Sequence, residues 1–406
     1  MASDSLTRNR PQWRRISSAL AICYLTTVPV LLGVWWSCHQ MSDRMHPKGG
    51  ARSFLRDMTN WDGVWYVDIV AHGYSYQPEN RSNVAFFPAF PMLAGGLRWC
   101  WGCSPELSLV IVANLCWAAA FCVIAVYCST CRADDDARSD LVLLTLGFWP
   151  AGLFFRMAYS ESLFLLLIAL TLMGIRRHWP IWLIAIIVGA ATGTRAVGVG
   201  LLLPFWYCLW STASCRVVAG TRLLLLTPLA CWGLLAFMMF LKVTTGDPLA
   251  FVKTQEHWAR RPQPAIVDRA IGLLTLQPIR DVYDSESPAY WSKDAEMPLP
   301  FNWAFLNPVF FLVTTSAVIY GASKGWLTRE EWLTAAGLLL IPYVFHSHRI
   351  LMLGHARFAS VVLPMYFVLG RSLQMLSPSA TSAALGIAAV LLAFSSALFA
   401  GWYYVL

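Results

Sequence analysis

Long apolar runs recur along the whole chain, at residues 16–36, 105–129, 139–156, 160–175, 179–194, 196–213, 221–243, 302–321, 331–346, 357–372 and 382–404. The hydrocarbon core of a bilayer takes about 20 apolar residues per helical crossing, and backbone in lipid must satisfy its hydrogen bonds internally. The pattern therefore predicts an all-α polytopic membrane protein with about 11 transmembrane helices. One further stretch, 86–101, is apolar but short, and Pro88, Pro91, Gly95, Gly96 and Arg98 interrupt it. It predicts an amphipathic helix that lies on the membrane surface or re-enters it, not a crossing.

Two segments break the pattern for long enough to build a polar structure: 38–104, after the first run, and 244–301, rich in Pro, Asp, Glu, Arg and Trp. Charge decides their side. Arg8, Arg10, Arg14 and Arg15 precede the first run, so the tail 1–15 is expected in the cytoplasm and both large loops on the outer face, periplasmic or lumenal. The first run is too long for the apolar core of a signal peptide and no clear small-residue cleavage site follows, so it reads as a retained crossing. The same topology puts Arg176, Arg177, Arg216, Arg222, Lys324, Arg329 and Arg371 inside, as the positive-inside rule asks; the acidic loop 132–140 fits it less well. With short inner loops, chemistry is expected outside.

Composition narrows the class. With 57% hydrophobic and 13% charged residues, the 406-residue chain reads as one integral membrane domain, 1–406, with no separate soluble module. The formal charge of +8 is scattered singly or in pairs between apolar runs, which points to membrane flanks and away from nucleic acid. The spacings Cys100/Cys103 and Cys128/Cys131 lack a matching His or Cys cluster, so no zinc site is expected. No Walker-type loop and no Gly-x-Gly-x-x-Gly run occurs, which argues against an ATP-driven pump and against direct use of a nucleotide sugar.

A few polar residues stand out against this background. Asp62 and Tyr66 are four apart on one helix face, with Trp61, Trp65 and Ile69 on an adjoining stripe. A carboxylate held at the headgroup level suits a general base, and it would equally serve as a helix N-terminal charge. Asp68 points elsewhere and reads as structural. In the turn after residue 155, Glu161 is either a site residue or the ion-pair partner of Arg156. Arg195 has no acidic neighbour in sequence, which makes phosphate a natural partner and snorkelling the alternative. His346, His348, Arg349, His355 and Arg357 gather in one short outer loop with no accompanying carboxylate, a set better suited to a leaving phosphate than to a metal.

Several blocks, taken together, resemble a known family. Trp61-Asp62, then Ile69-Val70-Ala71-His72-Gly73-Tyr74, then Ala85-Phe86-Phe87-Pro88-Ala89-Phe90-Pro91, are similar to the PIG-V type of mannosyltransferase, the GPI mannosyltransferase 2-like enzymes that add the second mannose in GPI-anchor synthesis, with their bacterial relatives. Ala158-Tyr159-Ser160-Glu161-Ser162-Leu163-Phe164 looks like the family's second motif, and Thr194-Arg195 with Gly198 like a third. Gly246-Asp247-Pro248-Leu249-Ala250-Phe251 and Arg357-Phe358 with Pro364 are closer to the bacterial branch. Trp65-Tyr66 stands where the family often has His-Phe, which leaves the acceptor open.

The resemblance implies a GT-C-like bundle and inverting transfer of a hexose, mannose by analogy, from a polyprenyl- or dolichyl-phosphate carrier to a lipid or glycan acceptor. Asp62 matches the family's catalytic aspartate, and no tightly held cofactor or divalent metal is implied. The expected donor-phosphate ligands are Arg195, Arg349, Arg357 and His348; the expected sugar and acceptor pocket is Trp61, Tyr66, Tyr159, Glu161 and Asp247. A secondary transporter or lipid flippase is the alternative class, though no paired symmetry of interrupted helices is evident. If the outer face is lumenal, Asn80-Arg81-Ser82 is a glycosylation sequon.

Overall fold

The computed structural model describes residues 11–41, 52–262, 264–293 and 301–403. Arg8, Arg10 and parts of both outer loops lie outside them. The described residues form helices and short 3-10 turns with no strand, as the runs predict. The count of about 11 crossings is not confirmed. Among the described residues four helices are long and apolar enough, unbroken, to cross a membrane: Gln12–Gln40, Pro105–Thr130, Trp303–Ser323 and Pro378–Ala400. A fifth crossing exists if Arg216–Ala230 and Trp232–Thr245, bent by 52°, count as one.

The remaining runs are helical but broken, and the breakers are local. Run 139–156 divides into the helix Asp136–Phe148 and the 3-10 turn Pro150–Phe155, with Pro150 at the point where the ring would clash with a continuing helix. Run 196–213 opens with the 3-10 turn Ala196–Leu201 before the helix Leu202–Ser211. Run 357–372 separates into His355–Ser360 and Leu363–Gln374, with Pro364 in the first turn of the second. Pro228 sits in the last turn before the 52° bend, where it removes a helix donor. Residues 89–101 form a helix of 13 residues, too short to cross, with Met92, Trp99 and Trp101 exposed.

Helix starts carry side-chain caps from Ser104, Asp135, Asn302 and Ser377, and Thr328 with Glu331 forms a capping box. The core around Trp117, Phe121, Phe164 and Phe205 is fully buried, while Tyr24, Leu224, Met239 and Val390 face outward. Outward apolar side chains are what a lipid solvent permits. Gln12–Gln40 packs on Pro378–Ala400 at backbone distance: a Cβ at Gly33 would stand 2.0 Å from the Ala393 carbonyl oxygen.

Two charged clusters bracket the helix Arg329–His346. In its first turn, buried Glu331 takes Arg132 at 2.6 Å, the Tyr127 hydroxyl at 2.8 Å and the Thr328 N–H at 2.8 Å. Arg132 also reaches Asp134, which Arg138 pairs in turn. The second cluster lies beyond the helix's far end, about 27 Å away at 1.5 Å per residue, and is the candidate site.

Candidate active site

Asp62 opens the helix Asp62–His72, and the chain immediately before it is pinned on three sides. The Asn60 amide donates to the Ala400 carbonyl at 2.9 Å. The Tyr159 hydroxyl donates to the Asn60 carbonyl at 3.2 Å and accepts the Asp62 N–H at 3.0 Å. The Ala158 N–H donates to the Met58 carbonyl at 3.0 Å. Between these anchors Trp61 has φ 58° and ψ −122°, a conformation that costs a side-chain-bearing residue on the order of 1–3 kcal/mol. The surrounding bonds hold that strain, and so set where the Asp62 carboxylate begins.

The carboxylate meets a guanidinium supplied from the far end of the sequence. Arg357 Nη1 donates to Asp62 Oδ2 at 2.5 Å. Its Nε lies 3.2 Å from Glu161 Oε1, and Glu161 also pairs with Arg195. Glu161 is fully buried, whereas the Asp62 side chain keeps 21% of its surface exposed. The pairs thus form a chain, Asp62–Arg357–Glu161–Arg195, with its open end at Asp62. Two carboxylates hold the Arg357 cation firmly charged against the cost of burial. Below the chain, the Tyr66 hydroxyl donates to Ser160 Oγ at 3.0 Å and the Tyr66 ring meets Phe86 and Phe90 edge to face.

A cavity of about 400 Å³ opens onto this chain. Asp62, Tyr66, Tyr159, Arg195 and Arg357 line one part of it, together with Arg269 and Arg349; Phe86, Phe87, Phe251, Trp258, Phe345 and Phe358 supply aromatic walls. Four guanidinium groups therefore face two carboxylates, Asp62 and Glu161, an excess of two positive charges. The Arg349 side chain makes no hydrogen bond or ion pair with the described residues, and the Arg269 side chain donates among them only to the Val344 carbonyl while its Nε is buried without a partner. Such a cavity suits a ligand that is anionic at one end and apolar at the other.

The structure brings together Asp62, Tyr66, Tyr159, Arg195, Arg349 and Arg357 from the expected set. It differs on the others. Glu161 lies beneath the cavity, not in its lining, and its partners are Arg195 and Arg357 rather than Arg156. Arg156 instead spends its guanidinium on the carbonyls of Gly152, Gly147 and Thr26 and stacks 4.4 Å over Trp117. The phosphate partner expected of Arg195 is, in this state, Glu161.

Trp61 packs against Trp402 at 5.3 Å and does not line the cavity. His348 is turned away: its Nδ1 accepts from Arg261 at 3.0 Å, and burial followed by the Arg261 charge pulls the imidazole below its usual range. Asp247 sits in a surface turn, where Lys253 at 2.7 Å and the Leu249 N–H hold its carboxyl below the usual range. Asp68 is structural, tied to His72 and Asn83.

Arg269 is the residue the motifs missed. It comes from the polar loop 244–301, where no spacing marks it; the only available signal was the apolar stripe Ile266, Val267, Ile271 and Leu274, which places Arg269 on the opposite helix face. Gly198 earns its place sterically: a Cβ there would stand 2.4 Å from the Ala191 carbonyl, so only glycine lets the turn carrying Arg195 seat against the helix Ile181–Thr192. Among the described residues no group of three His, Cys, Asp or Glu is placed to hold a metal ion.

No family model and no curated protein matches this chain. Among solved structures, the archaeal oligosaccharyltransferase AglB from Archaeoglobus fulgidus, in complex with an inhibitory peptide and a dolichol-phosphate, aligns at a TM-score of 0.48 and 12% identity over 96% of this chain and 55% of that one. The Archaeoglobus fulgidus oligosaccharyltransferase tethered to an acceptor peptide aligns at 0.45 and 12% over the same shares. The chain spans about half the length of these structures.

Proposed function

We propose that this protein is a membrane glycosyltransferase of the GT-C type that moves a hexose from a polyprenyl- or dolichyl-phosphate carrier to a lipid or glycan acceptor. One observation carries the reading: a part-exposed carboxylate stands in an aromatic-walled cavity lined by four guanidinium groups, with one further carboxylate, Glu161, beneath it. The resemblance of the Trp61-Asp62, Tyr159-Ser160-Glu161 and Arg195 blocks to PIG-V type mannosyltransferases supports it and makes mannose the first sugar to try.

In this reading the acceptor hydroxyl attacks the anomeric carbon from the Asp62 side. The new C–O bond forms as the bond to the carrier phosphate breaks, Asp62 takes the hydroxyl proton, and the lipid phosphate leaves with the bonding electron pair. Its charge grows from one to two as it departs, and fixed cations stabilise a developing charge in a site of low dielectric. Arg349 and Arg357 serve that role, with Arg195 joining if Glu161 releases it. Tyr66 and Tyr159 border the sugar. Arg357 Nη1 is engaged on Asp62 Oδ2, and an arriving phosphate would share that guanidinium. The site lies on the outer face, served by both polar loops.

The test is incubation of the purified protein in detergent with radiolabelled lipid-phosphate mannose and membrane lipid extract. Label moving to a new lipid or glycan product supports the reading, since transfer needs no sealed compartment and transport does. If labelled donor crosses sealed vesicles unchanged and no product forms in detergent, the protein is a transporter.

A further inference from the structure

The helix Ile266–Leu274 presents an unusual pairing of faces. Ile266, Val267, Ile271 and Leu274 are 88%, 68%, 56% and 86% exposed, and at ~100° per residue they fall within an arc of ~140°. On the other face, Gly272 is buried against His348 and the Leu273 carbonyl accepts from the Tyr343 hydroxyl at 2.9 Å. Arg269 lies on that inner side, lines the cavity and carries a buried Nε with no partner. Its guanidinium stands 5.9 Å from the ring of Phe345, itself 57% exposed, so the apolar stripe and the cavity meet at these two residues.

Resting on the reading above, we propose that this helix is an interfacial lipid-binding element. Its apolar stripe lies in the bilayer, and Arg269, with Arg349, holds the phosphate of a lipid whose hydrocarbon chain runs out past Phe345. The stripe holds no charge to match a protein partner and belongs to a chain whose other outward apolar faces meet lipid. Among the described residues Arg269 and Arg349 have no carboxylate partner, whereas Arg195 and Arg357 are paired, and Arg269 belongs to the stripe's own helix. A phosphate monoester bearing two charges matches that excess. A lipid phosphate satisfies the cations and the stripe at once; inorganic phosphate would satisfy only the cations.

The experiment is binding of polyprenyl phosphate, with polyprenol and inorganic phosphate as comparators, to the full chain in nanodiscs. Arg269→Gln is expected to weaken polyprenyl phosphate by at least roughly tenfold and leave polyprenol unchanged, as loss of a charge-assisted hydrogen bond predicts. Arg269→Lys keeps most of the binding, and Arg280→Gln, an exposed cation in the same loop, keeps all of it. A wild type that does not prefer the phosphate to the alcohol sinks the underlying glycosyltransfer reading. Preference retained in Arg269→Gln sinks this proposal alone, as does displacement by inorganic phosphate at equal concentration.

Should Arg269→Gln fail to fold, photocrosslinking decides. A benzoylphenylalanine at Ile271 should yield lipid adducts as efficiently as one at Leu224, and one at Asp268 should not. Adducts at Leu224 with none at Ile271 would overturn the assignment.

Discussion

The two charged clusters at either end of the helix Arg329–His346 use the same residue types to opposite ends. Around Glu331, both carboxylate oxygens are taken by Arg132, and Tyr127 and the Thr328 N–H add further bonds. Arg132 is in turn shared with Asp134 and covered by the Phe367 ring at 4.4 Å. That network is closed, and no ligand would improve it. Around Asp62 the network is open: among the described residues Glu161 Oε2 has no hydrogen-bond partner and Arg349 no counter-charge, and Asp62 stays part-exposed. A buried ion pair costs more to desolvate than it returns unless geometry is excellent, so a saturated cluster reads as structure and an unsaturated one beside a cavity as a site.

Substitutions can break this contrast. The largest effect is expected at Asp62, where Asn removes the proposed base while keeping the shape: transfer should fall by roughly 10²–10⁴-fold in a protein that still folds, because Arg357 keeps Glu161 as a partner. Turnover near wild type in that variant would put the base elsewhere. At the closed cluster the effect should move from chemistry to stability. Glu331→Ala leaves buried Arg132 with only Asp134, which Arg138 already shares, and is expected to cost roughly 3–5 kcal/mol, read as loss of folded protein in detergent, while the folded fraction keeps its normal rate in the proposed transfer.

Arg349→Gln removes a free cation from the cavity and should raise the donor KM by about tenfold, the scale of one charge-assisted hydrogen bond, with the melt unaffected. An unchanged KM would remove Arg349 from the phosphate site. The smallest effect is expected at Asp247, whose exposed pairing with Lys253 lies outside the cavity. Asp247→Asn should leave both turnover and stability where they were, and a clear loss of donor binding would reinstate it in the site.

Sequence made the helices legible because apolar runs report burial in lipid directly. The number of crossings is less legible, since a run such as 139–156 counts as continuous until Pro150 is given its steric weight. The catalytic candidate was also legible: Asp62 sits in a distinctive local block. Its partner was not. Asp62 and Arg357 are 295 residues apart, and nothing local to either reveals the other. The same blindness hid the Glu161–Arg195 pair, whose arginine looked free of acids only in sequence. His348 was grouped with Arg349 and Arg357 by proximity along the chain, yet the loop turns its ring toward Arg261. Motif adjacency places residues in a neighbourhood; side-chain direction decides which of them face the ligand.

The anchoring of Asn60 to the carbonyl of Ala400 has a consequence for how the reactive loop responds to change elsewhere. That carbonyl closes the helix Pro378–Ala400, whose axis is fixed by backbone contact with Gln12–Gln40 at Gly33. A methyl group at position 33 would act as a wedge deep in the bundle and would be felt, through a rigid rod of helix, as a displaced tether beneath the Asp62 carboxylate. Defects in turnover could therefore be seeded by lipid-facing helices that never approach a substrate.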